Sequence, residues 1–384
     1  MLLKNGKIFT GRGTILESTD ILIERGQIKQ IGKNLKPQKN EEVIDLTGLM
    51  VFPGFIDAHT HLGVYAEPVT WASEDGNEMS DPVTPQVRAI DAINCDDMAF
   101  ADAVTAGITS VFTGPGSGNI IGGQSAFIKT AGSIIADERA VMQFCGLKAA
   151  LGENPKRVYG QKSKLPMTRM GNAAVMREAF VSAQNYLKKS KTKDKKPDAD
   201  LKMEALIQVL EKKVPLRCHA HRADDIATIV RIKEEFGFNL VVEHATEGHK
   251  IAGFLANKKI PCVIGPSLTA RVKEELKEKS FKTPKLLFDA GVFFAIITDA
   301  PVIPVQYLPE MAGFAIREGL PWDEALKAIT INAAEICGVS SRVGSLEIGK
   351  DADITVYSGD PFTIEGRCEM TFVNGECVYK RGKG

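Results

Sequence analysis

The chain has 384 residues, 44% of them hydrophobic, enough for a normal core in one large domain or two to three smaller ones. Lys plus Arg and Asp plus Glu balance at 48 each, which argues against a global field that draws the protein to nucleic acid or to a membrane. Seven scattered cysteines without a CxxC pair, no leader pattern in "MLLKNGKIFT" and no apolar run near the ~18 residues of a membrane helix lead to the expectation of a reducing, cytoplasmic setting.

Residues 1–52 read as short strands with tight turns. "LLKNGKIFTG" carries an Asn5-Gly6 turn signal between β-prone runs, and "DILIERGQIKQIG" alternates apolar and polar residues around Arg25-Gly26. The last stretch reads the same way. "ADITVYSGD" predicts a strand, and "EMTFVNGECVYKRG" predicts a hairpin with Asn374-Gly375 at its tip. The expectation is one small β-sandwich domain made of residues 1–52 plus 340–384.

Residues 53–339 alternate short buried-looking strands with helical patterns, which is α/β with a parallel sheet. The strands are expected at Phe55-Asp57, Thr109-Thr113, Ala126-Lys129, Leu147-Leu151, Leu216-Cys218, Leu240-Glu243, Pro261-Ile264 and Phe293-Thr298, and eight of them close a (β/α)8 TIM barrel. Thr84-Pro85 offers a helix start that Gly107 ends; Asp225 to Phe236 ends at Gly237, and Pro321 to Cys337 ends at Gly338. "TAGSIIADERAVMQF" leaves little room for a helix between strands three and four, so the repeat is expected to be distorted there by extra extended chain. The next connection holds two helices, Thr168 to Ser190 and Asp200 to Lys213. They are joined by "KKSKTKDKKP", read as a solvated loop.

Chemistry in such a barrel sits at the C-terminal strand ends. His59 and His61 follow the first strand, Glu153 the fourth, His219 and then His221 the fifth, His244 the sixth and Asp299 the eighth. Alternate strand residues share a direction, so His59 and His61 face one point where a cation takes both imidazoles. Imidazole and carboxylate ligands suit Zn²⁺ and related divalent ions. A lone His-x-His is a weak signal; the other strand ends turn it into a predicted metal site. Only His249, the sixth histidine, lies off the strand ends, in the loop after strand six.

"PGFIDAHTHLG", "CHAHRADDI", "VVEHATEG", "IITDAP" and the split β-domain together resemble the amidohydrolase superfamily of metal-dependent hydrolases, within its imidazolonepropionase-like and prolidase-like branch, over nearly all of the chain. The resemblance implies that His59 and His61 ligate one metal and that His219 and His244 ligate a metal as well, a second one if the site is binuclear. It also implies that Asp299 touches the metal and handles the proton. His221 faces the same cavity, either as a substrate contact or as a hydrogen-bonding support. Family members carry a carboxylated lysine, a glutamate or no ligand at the fourth strand, and "GLKAALGENPKRVYG" offers Lys148 and Glu153. With the strand entered at Gly146, Lys148 lies near its start and Glu153 at the rim, which favours Glu153. A long strand beginning near Val141 weakens that argument.

A bound Zn²⁺ lowers the pKa of its water to ~7. The expected reaction is attack of that hydroxide on a C–N bond of a cyclic amide, dipeptide or N-acyl substrate, with Asp299 moving the proton. A heterocycle deaminase is the alternative, although related deaminases place a glutamate three residues after the strand-five histidine, where this chain has Arg222. A third reading is a catalytically silent metal-binding scaffold. The long loop Leu62 to Thr84 is a candidate lid, in which Trp71 and Tyr65 either wall the pocket or pack within the loop. "GPGSGNIIGGQ" lacks the Gly-Lys-Ser/Thr of a phosphate loop and reads as backbone-rich rim. Arg271 in "GPSLTARVKEEL" is placed to meet an anionic substrate group. The expected partner is a small-molecule substrate, with no nucleic acid and no membrane; a homo-oligomer stays open.

Overall fold

The computed structural model describes residues 1–192 and 197–382. The first residues form β1 (Leu2–Phe9), β2 (Ile15–Glu24), β3 (Gln27–Gly32), β4 (Val43–Asp45) and β5 (Met50–Pro53). β2 and β3 turn at Arg25 and Gly26, both at positive φ (51° and 79°), the backbone that a two-residue hairpin needs. Asn5-Gly6 makes no turn. β1 runs through it with Asn5 at φ 62° and a register shift against β2. A Cβ on Gly6 would meet Val51 Cγ2 at 2.7 Å, so this glycine serves the close approach of β5 and not a chain reversal.

Eight strands follow: β6 (Phe55–Thr60), β7 (Ile108–Thr113), β8 (Ile121–Lys129), β9 (Ala140–Ala150), β10 (Leu216–Ala220), β11 (Leu240–His244), β12 (Cys262–Ile264) and β13 (Phe294–Ile296). They lie in one sheet in that order. Just beyond the strand ends, His61 N donates to Ala300 O (2.7 Å) and Asp299 N to His59 O (3.2 Å), which draws the two edges together into a nearly closed barrel. Each expected strand overlaps one of these. The irregularity is β8, which runs antiparallel to both β7 and β9. Only a one-turn helix, Ala136–Arg139, links β8 to β9. That is too short for the crossover a parallel strand requires, so the chain folds straight back.

Several helix limits differ from expectation. The helix before β7 spans Met98–Thr105 and is capped by Asp97, whose side chain accepts from Ala99 N (3.1 Å). Thr84 does not start it; its hydroxyl reaches Ile121 O and Gly122 O (both 3.3 Å). The stretch expected as one helix to Cys337 is two, Trp322–Ala328 and Ile331–Ile336. Arg169–Ser190, Leu201–Leu210 and Ala223–Phe236 lie where expected, capped by Thr168, by Asp200 and, at its C-terminal end, by left-handed Gly237. The basic stretch expected as a loop begins inside the first of these, and its residues 193–196 lie outside the described residues. Strands and outer helices bury a common core that includes Phe180, Leu206, Ile229 and Leu240.

The last residues form β14 (Ile354–Ser358), β15 (Arg367–Val373) and β16 (Glu376–Lys380), with Asn374 and Gly375 at the expected hairpin tip (φ 49° and 77°). β14 pairs antiparallel with β5, which joins both chain ends into a second eight-stranded sheet. Its strands bury Leu3, Ile8, Ile21, Val51, Ile354 and Phe372 together. Lys129 of β8 reaches Asp351 (2.9 Å) and Asp353 (2.5 Å), all three buried, and ties the barrel to this sheet. Among the described residues no helix is long and apolar enough to cross a membrane.

Candidate metal centre

A cavity of about 450 Å³ opens at the C-terminal strand ends, and His61, His219, His221, His244, Lys148 and Asp299 line it. His59 is buried just behind, with Nε2 3.1 Å from Asp299 Oδ1; His61 Nε2 is 3.2 Å from the same oxygen. Ring centroids of His59 and His61 are 5.1 Å apart, those of His219 and His244 4.4 Å, and those of His219 and His221 4.5 Å. Ligand-type atoms gather within 4.8 Å in three groups, the first two sharing His59: His59, His61 and Asp299; His59, Glu243 and His244; His219, His221 and Glu275.

Four of the five imidazoles at the cavity are held by Nδ1, while His219 meets Asn154 Nδ2 through Nε2 (3.4 Å). Nδ1 of His59 donates to Glu243 Oε1 (2.9 Å), that of His61 to Gly114 O (2.8 Å) and that of His244 to Gly265 O (2.7 Å); His221 Nδ1 pairs with Thr246 Oγ1 (2.7 Å). These contacts select the tautomer that leaves the Nε2 lone pairs free, the arrangement by which proteins orient metal-ligating histidines. Glu275 Oε1 adds a buried carboxylate oxygen without a hydrogen-bond partner, 3.8 Å from His219 Nε2. A divalent ion fits this donor set.

The amidohydrolase family model matches residues 50–382. The chain belongs to the amidohydrolase family. It is 46% identical to an amidohydrolase from Thermotoga maritima MSB8 over 99% of this chain and 100% of that one, with a TM-score of 0.95. A prolidase solved with N-methylphosphonate-L-proline shares the fold at 18% identity, a TM-score of 0.61 and 99% coverage of each chain. Amidohydrolase tasK of Hapsidospora irregularis is 28% identical over 98% of this chain. The chain spans 43% of the length of that relative, less than half.

Electrostatics in this amidohydrolase keep the inward nitrogens of His219, His221 and His244 neutral, whereas His59, which burial by itself would lower, is raised by Glu243 and Asp299. Burial, reinforced by neighbouring imidazoles, holds His219 and His244 well below the ordinary imidazole value and pushes His221 down to about 3. Burial by itself would raise Asp299, yet His244, His59 and His61 hold its carboxyl well below the usual range. Asp57, two residues before His59, accepts from Thr298 N (3.1 Å) and Thr298 Oγ1 (2.5 Å), and burial pushes it up to about 7. It thereby braces the segment that carries Asp299.

The fourth-strand candidates separate. β9 begins at Ala140, not at Gly146, so Lys148 lies near its C-terminal end. Its ammonium pairs with Glu243 Oε2 at the cavity wall. Gly152 (φ 85°) then turns the chain into the helix Glu153–Gly160. Among the described residues, Glu153 joins none of the ligand-type groups. Arg271 is exposed, donates to Lys279 O (3.4 Å) and lines a neighbouring depression, not the cavity. Tyr65 lines the cavity and its ring lies 5.5 Å from that of His61, whereas Trp71 is 91% exposed. Gly116, Ser117 and Gly118 form rim, as expected of the glycine-rich stretch. His249 meets Thr283 Oγ1 at 3.5 Å.

Two acidic residues escaped the sequence reading. Glu243 adjoins His244, and strict alternation would send one of them away. His244 instead sits at φ 70° and Ala245 at φ 43°, so the strand's alternation breaks and both side chains join the site. Glu275 comes from a short helical turn, Glu274–Leu276, whose sequence resembles any solvated charged segment.

Proposed function

We propose that this amidohydrolase is a divalent-metal hydrolase, with zinc as the ion its ligand types suit, that cleaves a C–N bond of a cyclic amide, dipeptide or N-acyl compound. The observation that carries the reading is the convergence of His59, His61, His219, His244 and Asp299 at one cavity, with the Nδ1 partners of His59, His61 and His244 outside it. His59, His61 and Asp299 would hold one ion, and His219 and His244 a second where two bind. Lys148, carboxylated, is the fourth-strand ligand the geometry favours over Glu153.

A bound ion supplies Lewis acidity, lowering the pKa of water to ~7 and polarising a carbonyl oxygen. Asp299, ionised and steadied by His59 and His61, takes the proton of the attacking water at a carboxylate oxygen and passes it to the leaving nitrogen. The new C–O bond forms as the C–N bond breaks, and the amine leaves neutral. His221 lies beside His219 and His244, where it orients the carbonyl group. Arg222, at the position of a deaminase's glutamate, pairs with Asp224 (2.7 Å) and does not line the cavity.

The test is a panel of dipeptides, N-acyl amino acids, hydantoin-type rings and aminated heterocycles given to metal-loaded protein, with amide cleavage and ammonia followed together. Amide cleavage is expected. Ammonia from heterocycles alone would replace the reading with deamination, and silence without stoichiometric metal would replace it with a scaffold.

A further inference from the structure

We infer that the substrate carries a free carboxylate and that Lys273, seconded by Arg157, selects it; the inference rests on the amide-hydrolase reading above and narrows it to N-acyl amino acids and dipeptides. Lys273 lines the cavity and is half-buried. Its ammonium donates one hydrogen bond, to Asn154 Oδ1 (2.8 Å), and among the described residues no carboxylate lies within ion-pairing distance of it. Neighbouring lysines differ: Lys277 pairs with Glu274 (2.8 Å), Lys250 with Glu247 (3.0 Å) and Lys148 with Glu243. A cation drawn into a partly desolvated cavity without a counter-ion is costly, and a ligand carboxylate with charge-assisted hydrogen bonds removes that cost. Arg157, exposed at the same wall, adds a second cation without an acidic partner among the described residues.

The position suits the chemistry. Asn154 links Lys273 to the histidines, its Oδ1 accepting from the ammonium and its Nδ2 lying 3.4 Å from His219 Nε2 and 2.8 Å from Ser117 Oγ. In an N-acyl amino acid or dipeptide the carboxylate lies one α-carbon beyond the scissile nitrogen, so a carbonyl at the histidines places it near the ammonium. Val158, Val272, Leu276 and Val302 line the same cavity and offer an apolar wall to the side chain on that α-carbon. Arg271, the basic residue the sequence singled out, lies outside, and Lys273 two residues on takes the role expected of it.

The experiment compares N-acetyl-L-leucine with N-acetyl-L-leucine amide. In turnover, Lys273→Met is expected to lower the preference for acid over amide by about 10- to 100-fold, chiefly through KM, as for loss of a hydrogen bond to a charged group. Lys273→Arg restores most of it, and Lys277→Met, which removes a charge from the same loop outside the cavity, leaves the ratio unchanged. Calorimetric binding of N-acetyl-L-leucine to each variant in an Asp299→Asn background, where turnover is expected to be lost, reads the same contrast, so it separates failure of this inference from failure of the hydrolase reading. Equal weakening toward acid and amide, unchanged binding in Lys273→Met, or no binding of the acid to the unsubstituted protein would overturn the carboxylate subsite.

Discussion

Glu243 Oε1 on β11 lies 2.9 Å from His59 Nδ1 on β6, two strands that are not neighbours in the sheet. The same carboxylate accepts from Arg217 Nε (3.0 Å) and from Lys148, and all four side chains are buried. Burial opposes its charge, but the three partners hold the Glu243 carboxyl well below its usual range. One acidic side chain thus orients a candidate ligand histidine and pairs with two interior basic residues.

Glu243→Gln is expected to leave Arg217, and Lys148 where it is not carboxylated, uncompensated and to lose about 3–5 kcal/mol of stability, the cost of breaking a buried charge pair. The loosened His59 should cost about 10- to 100-fold in metal affinity. Urea denaturation at fixed metal content, with a metal titration beside it, reads both; a native midpoint and native affinity would refute the role.

Asp299→Asn should keep its metal, because four histidines remain, and lose about 100-fold or more in kcat, because an amide cannot take the proton. Metal content and turnover are measured on one sample. Undiminished turnover would remove Asp299 from the proton path.

Chelation should abolish turnover and lower the Tm, since an ion that binds only the folded chain stabilises it by mass action. Zinc added back should restore both. Elemental analysis of the restored protein counts the ions, and full activity in metal-free protein would end the metal-dependent reading.

Gly265→Ala tests the support of His244. Gly265 sits at φ 145°, its carbonyl holds His244 Nδ1 at 2.7 Å, and a Cβ there would lie 2.2 Å from Ile297 O. A loss of about 1–3 kcal/mol from overpacking is expected, together with weaker metal binding. A variant with native melting and native affinity would show that His244 is steadied elsewhere.

Lys129→Met removes the cation between Asp351 and Asp353 and leaves two buried carboxylates facing each other. About 3–5 kcal/mol should be lost. Asp351→Asn combined with Asp353→Asn in the same background should recover part of it, and failure to do so in thermal melts would show that the triad is not what couples the two sheets.

Much of the site is legible because barrel strands impose a rule that residues can be read against. His59 and His61 share a face by alternation, and His219 and Asp299 fall at strand ends that apolar runs announce. β9 was harder. Its first residues, Ala140 to Phe144, are broken by the exposed Gln143 and followed by Gly146, so Gly146 passes for an entry point and Lys148 for a residue far from the rim. Asn5-Gly6 misleads for a related reason: the same dipeptide suits a turn or a bulge, and the neighbouring β5, distant in sequence, decides which.

By itself the sequence determined the order of strands, the pairing of the chain ends and the histidine set, since each follows from local periodicity and turn chemistry. Only the tertiary structure decided that β8 runs antiparallel, that Glu243 stands behind His59, and that Lys273 and not Arg271 faces the cavity. The reason is physical. Alternation assigns a side chain to a face of its own strand. Which groups meet across the barrel depends on closure of the sheet, on left-handed residues such as His244 that break alternation, and on loops whose path is set by what they pack against.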